Sequence, residues 1–394
     1  MPQLLPAADV IHHEKQKLYG LDHLRAFAII FVFLFHYKFF LHPDWEPKIS
    51  SFGWTGVDLF FVLSGFLISG QLFETVRENK KIPLREFFIK RFFRIIPPYA
   101  IVLMIYFLFP SLGEWGHLSH WWKYVTFTLN FDLNLAKNSM FTHAWSLCVE
   151  EQFYLLLPLC FWLFTRYKAG KKSVYLILFL LIAGFVCREL SWDYGVVPHL
   201  QEDDLRPLWN RYVYYPTYNR LDGLLIGVSI AGLFTFYPKV KEWVNSCSTL
   251  LLFVGLIALV GAYFVCIPKE SYYAGLYGFA LVSIGYGLIL AAVVSPANIF
   301  YKIRSQFTEV IATLSYSIYL IHKIAIHLTQ YWLGKAGMDK SGTIMLLCCI
   351  ITTVGAAALM RVLIEKPALR LRNKVLNRIK AKKAVKQPTT IPDL

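Results

Sequence analysis

The sequence predicts an all-α, polytopic membrane helical bundle of about ten transmembrane helices with both termini cytoplasmic. Three observations carry that expectation. The chain is 56% hydrophobic with a mean hydropathy of +0.47 over 394 residues, too apolar for a soluble protein of this size. Its apolar residues fall into ten runs of lipid-spanning length. With the N-terminus cytoplasmic, the 40 Lys and Arg divide into 26 in cytoplasmic segments, 8 in external ones and 6 within spans, which orients the bundle. The net charge of +15 therefore reads as membrane orientation, and no nucleic-acid partner is expected.

The runs lie at 23–41, 55–74, 95–110, 144–165, 173–189, 218–236, 248–267, 274–294, 307–333 and 342–364. The first is long, holds Arg25, His36 and Lys38 and lacks a small-residue cleavage site, so it reads as a permanent helix and not a secretory signal. The third is the shortest and is opened by Pro97 and Pro98. Before it, RENKKIPLREFFIKRFFRIIPPY carries seven basic residues from Arg77 to Arg94 and reads as a short amphipathic helix on the membrane surface. The segment WWKYVTFTLNFDL is too short to span and reads as interfacial or re-entrant. Tyr212, Tyr214, Tyr215 and Tyr218 form a belt that marks a membrane interface. The chain thus divides into a cytoplasmic segment at 1–22, one membrane domain at 23–364 and a basic tail at 365–394, read as a surface anchor with a disordered end. The seven cysteines never form a CxxC pair, so neither a disulfide framework nor a metal is expected. P-loop, GxSxG and HExxH patterns are missing, which sets aside the soluble-enzyme templates.

Chemistry is sought among ionisable groups at membrane depth, because each costs about 2.5 kcal/mol or more there and marks a site facing the bundle interior. Arg25 and His36 stand eleven residues apart, three helical turns plus about 20°, on one face and about 16 Å apart in height. Glu150 and Glu151, in AWSLCVEEQFY, fall at nearly the same distance from the external face as His36, about 8–10 Å. Adjacent helical residues point about 100° apart, so one of the two glutamates is expected to share a cavity with His36. A histidine beside a carboxylate suits activation of a hydroxyl. Asp58, Arg220 and Asp222 lie near external helix ends, the last two reading equally as an ion-pair network or as substrate contacts; His322 reads as a ligand contact or a core hydrogen bond. At the cytoplasmic side Arg91 and Arg94, spaced i, i+3, suit a polyphosphate, although positive-inside anchoring explains any cytoplasmic arginine.

These segments resemble the acyltransferase family 3 membrane proteins, which O-acylate sugars, polysaccharides and some small molecules. The likeness covers residues 18–372. It rests on LDHLRAFAIIFVFLFH, GVDLFFVLSGFLISG, the RFFR pair, WSLCVEEQFYLLLP, YNRLDGLLIG and SYSIYLIHK in that order. The resemblance implies that His36 is the essential histidine, that Arg25 is its partner and that Arg91 and Arg94 bind the phosphates of an acyl-CoA donor, with acetyl-CoA first among donors. It also implies a glycan or sugar acceptor on the external side of the cell membrane. Many members carry an esterase-like domain after the last span; this chain reads as a stand-alone form that completes transfer alone or hands the acyl group on. The competing reading is a transporter or flippase of a glycan or sugar lipid, which leaves the two-sided arrangement of arginines and histidine unexplained.

Overall fold

The computed structural model describes residues 18–385 apart from 115, 136, 202 and 203. Most of the expected 1–22 segment and the disordered end expected beyond 385 thus lie outside the described residues. The long helices are α1 (Tyr19–Tyr37), α2 (Gly56–Arg77), α3 (Leu84–Leu108), α4 (Trp145–Arg166), α5 (Ser173–Leu190), α6 (Asp222–Phe236), α7 (Pro238–Ser246), α8 (Ser248–Val265), α9 (Phe279–Val293), α10 (Gln306–Lys335), α11 (Thr343–Met360) and α12 (Lys366–Val385). Among the described residues no strand occurs. Among the described residues nine helices are long and apolar enough to cross a membrane, or ten when α6 and α7, bent by 108° at their junction, count as one span.

The core is built where helices can approach closely. α2 packs along α6, α1 along α10, and α9 beside them, while α5 and α8 turn most of their length to the outside. The α2–α6 crossing depends on glycine: a β-carbon at Gly65 would strike the Leu224 carbonyl oxygen, and one at Gly227 the Val62 carbonyl oxygen. Small residues are what allow membrane helices to gain dispersion contacts when no hydrophobic driving force separates helix from lipid. Gly227→Val is therefore expected to lower the melting temperature of the detergent-purified protein, whereas Gly261→Ala, whose β-carbon would meet nothing, leaves it unchanged.

Two boundaries differ from the sequence reading. The third span does not start at Pro97 and Pro98; α3 runs unbroken from Leu84 through both prolines to Leu108. Prolines remove only the amide bonds to residues four positions back, a loss that membrane helices tolerate. Arg91 and Arg94 consequently belong to the spanning helix itself. At the other end, the basic tail continues α11 through a π-turn at Arg361–Glu365 into α12, which packs against α3.

Candidate active site

Three histidines converge at the far end of α1. His36 Nδ1 donates to the Val32 carbonyl at 2.9 Å, because a carbonyl can only accept. In the neutral ring this leaves Nε2 as the basic nitrogen. His322 on α10 is held the same way, Nδ1 donating to the Tyr319 carbonyl at 2.8 Å, and its buried Nε2 has no hydrogen-bond partner. His143, in the turn before α4, donates from Nε2 to the Leu320 carbonyl at 3.3 Å and leaves Nδ1 buried and unpartnered. The ring centroids lie 4.8 Å apart for His36 and His322, 4.9 Å for His143 and His322, and 5.9 Å for His36 and His143. No set of three His, Cys, Asp or Glu among the described residues is disposed to hold a metal ion.

The His36 and His143 rings, with His322 packed against both, line a cavity of about 380 Å³ together with Glu114, Lys323, Arg206, Lys269 and aromatic side chains. One wall is fastened by a buried ion pair. Lys323 Nζ, one residue from His322, donates to Glu114 at 3.0 Å and to Thr142 Oγ1 at 3.2 Å. Glu114 also accepts from Tyr106 at 2.8 Å and from the Phe141 N–H at 3.1 Å. Phe141 has φ +53°, a left-handed conformation that costs an ordinary residue about 1–2 kcal/mol, and the Glu114 bond with a stack on Tyr106 holds it there. This fixes the direction in which the chain enters Thr142 and His143.

Burial alone opposes ionisation of Glu114, but the Lys323 ammonium and the surrounding donors outweigh it and hold the carboxyl below its ordinary value. A depressed carboxylate contributes stability above its unfolded value, near pH 4.5, and loses it as pH falls through the lower folded value. Glu114→Gln leaves the buried Lys323 without its counter-ion. We expect it to lower the melting temperature and to expose residues 110–144 to limited proteolysis at pH 7, with wild type reproducing that pattern only in strong acid.

The arginines form a second centre near the start of α1. Arg25, Arg91 and Arg94 lie close enough to repel one another, and Arg25 has Asp22 at 3.9 Å. The Arg91 guanidinium lies 5.0 Å over the Tyr154 ring. Glu150 and Glu151 sit within electrostatic reach of Arg91 and do not line the cavity at His36, so they belong to this centre. Depth along a helix alone groups them with His36, but the unbroken α3 lifts Arg91 toward their level. Glu150 accepts from Ser64 at 2.8 Å, and Ser64 accepts from Tyr154 at 2.9 Å. One helical turn away on α4, Ser146 bonds Tyr319 at 2.6 Å, and Tyr319 lies 5.6 Å from the His143 ring. A column of polar side chains thus runs between the two centres.

Asp58, Arg220 and Asp222 do not line the cavity. Arg220 bonds Asp58 at 2.8 Å and Arg188 bonds Asp222 at 2.6 Å, all four side chains almost fully buried. The Arg220 guanidinium lies 3.9 Å over the Phe279 ring and 4.6 Å over Tyr214, so these pairs brace the aromatic wall of the cavity. Sequence reasoning missed His143, Glu114, Lys323, Ser64 and Arg188. Lys323 and Arg188 were detectable as lone cations within apolar runs, whereas His143 and Glu114 sit in a connection whose path no periodicity reveals.

Comparison with known proteins places this geometry in context. Residues 18–361 match the family model described as acyltransferase domain. O-acetyltransferase OatA of Staphylococcus aureus (strain NCTC 8325 / PS 47) is 29% identical over 79% of this chain and 51% of its own length. Peptidoglycan O-acetyltransferase OatA of Listeria monocytogenes serovar 1/2a is 29% identical over 79% of this chain and 49% of its own length. The chain spans about half the length of these relatives. No solved structure matches.

Proposed function

We propose, since the chain belongs to the acyltransferase family, that it is a membrane O-acetyltransferase using cytoplasmic acetyl-CoA to acetylate a hydroxyl of a glycan at the external side of the cell membrane. The names of its relatives support acetyl as the group and a glycan as the acceptor. The observation that carries the reading is the polar column with arginines at one end and histidines at the other. A donor with an anionic head and a reactive thioester at the end of a long arm matches that separation, about 16 Å between Arg25 and His36 along α1.

In this mechanism Arg25, Arg91 and Arg94 hold the CoA phosphates through charge-assisted hydrogen bonds, and the pantetheine arm lies along the column. The acceptor hydroxyl enters the cavity and meets His36 Nε2. His36 takes the hydroxyl proton as the oxygen adds to the thioester carbonyl; the intermediate collapses, the C–S bond breaks, and the proton passes to the departing thiolate. The Nδ1–H bond to Val32 keeps the ring in the tautomer this step requires and stabilises the imidazolium. Lys323, fixed in place by Glu114, supplies positive potential where the oxyanion develops. If transfer instead passes through an acetyl-histidine, the same Nε2 is the nucleophile, and rapid quench with labelled acetyl-CoA alone will leave label on the protein.

The test is acetyl transfer in membranes carrying the protein, with release of CoA thiol measured in parallel. Arg91→Ala with Arg94→Ala is expected to raise KM for acetyl-CoA about tenfold or more, since each charge-assisted bond contributes about 1.5–3 kcal/mol. Absence of thiol release across donor and acceptor panels would overturn the reading in favour of transport.

A further inference from the structure

The mouth of the cavity carries a feature that acetyl transfer does not by itself require. Lys269, in the connection between α8 and α9, is partly buried with its ammonium 4.1 Å from the Tyr214 ring, 5.1 Å from Phe35, 5.4 Å from Trp54 and 5.5 Å from Trp209. Arg206 lies 5.2 Å over the Phe39 ring, and Lys38 lies 4.4 Å over Phe35. Lys269 acts electrostatically on His36, so these cations and the basic nitrogen share one space. Among the described residues neither Lys269 nor Lys38 has a carboxylate within ion-pairing distance, and Glu270 is shared with Arg206 at 3.8 Å. The side of the bundle assigned as external holds only 8 of the 40 Lys and Arg, yet Arg206 and Lys269 converge here, with Lys38 beside them.

Aromatic faces hold an ammonium in place but do not neutralise it. A concave site with surplus positive charge attracts an anion, and flat rings beside it suit the C–H face of a pyranose. We infer that this rim is the acceptor subsite and that it takes an anionic saccharide, whose carboxylate or phosphate sits on Lys269 and Arg206 while its ring lies against the neighbouring aromatic side chains. This rests on the acetyl-transfer reading for the role of His36, toward which a bound sugar would present its hydroxyl. Burial, together with Lys38, Arg206 and Arg220, pushes the Lys269 ammonium down to about 7 against the opposing pull of Glu270. Its charge is present below that pH and lost above it, so anion affinity falls as pH rises from 6 to 8.

Calorimetric titration of the full chain in detergent tests this without relying on turnover. The probes are oligogalacturonate, its neutral methyl ester, and a phosphorylated oligosaccharide of equal length. We expect at least one anionic probe to bind about tenfold more tightly than the ester, the better of the two identifying the anion. Lys269→Met and Arg206→Gln should erase that preference, while Lys269→Arg keeps it and removes the decline between pH 6 and 8. Equal affinity for charged and neutral probes, a preference surviving both neutral variants, or no saturable binding of any probe overturns the inference. Acetyl transfer is assayed on the same preparations. Its absence beside intact, charge-dependent binding overturns the acetyl-transfer reading and leaves the subsite standing.

Discussion

His36→Ala is expected to reduce acetyl transfer from acetyl-CoA by about 10²- to 10⁴-fold, the range general-base catalysis contributes. The loss should appear in kcat, with the KM for acetyl-CoA unchanged, because the side chain acts at the end of the polar column remote from the arginines. Folding should be spared: the one hydrogen bond of His36 returns to its own helix at Val32, and the ring is only half-buried. Labelled transfer in membranes, normalised to inserted protein, measures the effect. Full activity in His36→Ala would eliminate this residue as base and as nucleophile together. His322→Ala and His143→Ala are instructive companions, since each also anchors to the backbone near Leu320 and their loss should disturb the cavity floor as well as the chemistry.

The second large effect lies in the buried ion pairs. Arg220→Met leaves the Asp58 carboxyl at 2% exposure with its partner gone, and breaking such a pair costs about 3–5 kcal/mol. The expected result is loss of folded protein in fluorescence-detected size exclusion. Replacing both members, Asp58→Leu with Arg220→Met, should recover much of it, because the desolvation penalty disappears together with the attraction. If Arg220→Met folded normally but bound no acceptor, the pair would belong to the substrate site and not to the scaffold. The Arg188–Asp222 pair, its aspartate two residues along the chain from Arg220, should respond in the same way.

Composition and charge asymmetry are enough to read an all-helical membrane bundle, and among the described residues the ten apolar runs correspond to nine long helices plus the short α6 joined to α7. The readings that moved share one cause. Height alone puts Glu150 and Glu151 with His36, yet height says nothing about azimuth or about where a neighbouring helix begins. Once α3 starts at Leu84 in place of residue 95, Arg91 stands beside Glu150 and competes for it. Asp58, Arg220 and Asp222 are legible as polar groups near helix ends, and for Arg220 and Asp222 internal pairing is one of two readings the sequence leaves open; that their partners are Asp58 and Arg188 is visible only in the fold.

What the sequence determined by itself is whatever follows from local periodicity and from the cost of charge in lipid: the spans, the shared face of Arg25 and His36, and the short list of intramembrane ionisable groups. Only tertiary structure decided which of them meet. His143 and Glu114 reach the site through a connection held by a left-handed Phe141, and Lys323 meets Glu114 across more than two hundred residues. Such contacts depend on how helices pack and where loops return, which is a property of three-dimensional closure and not of any window of sequence.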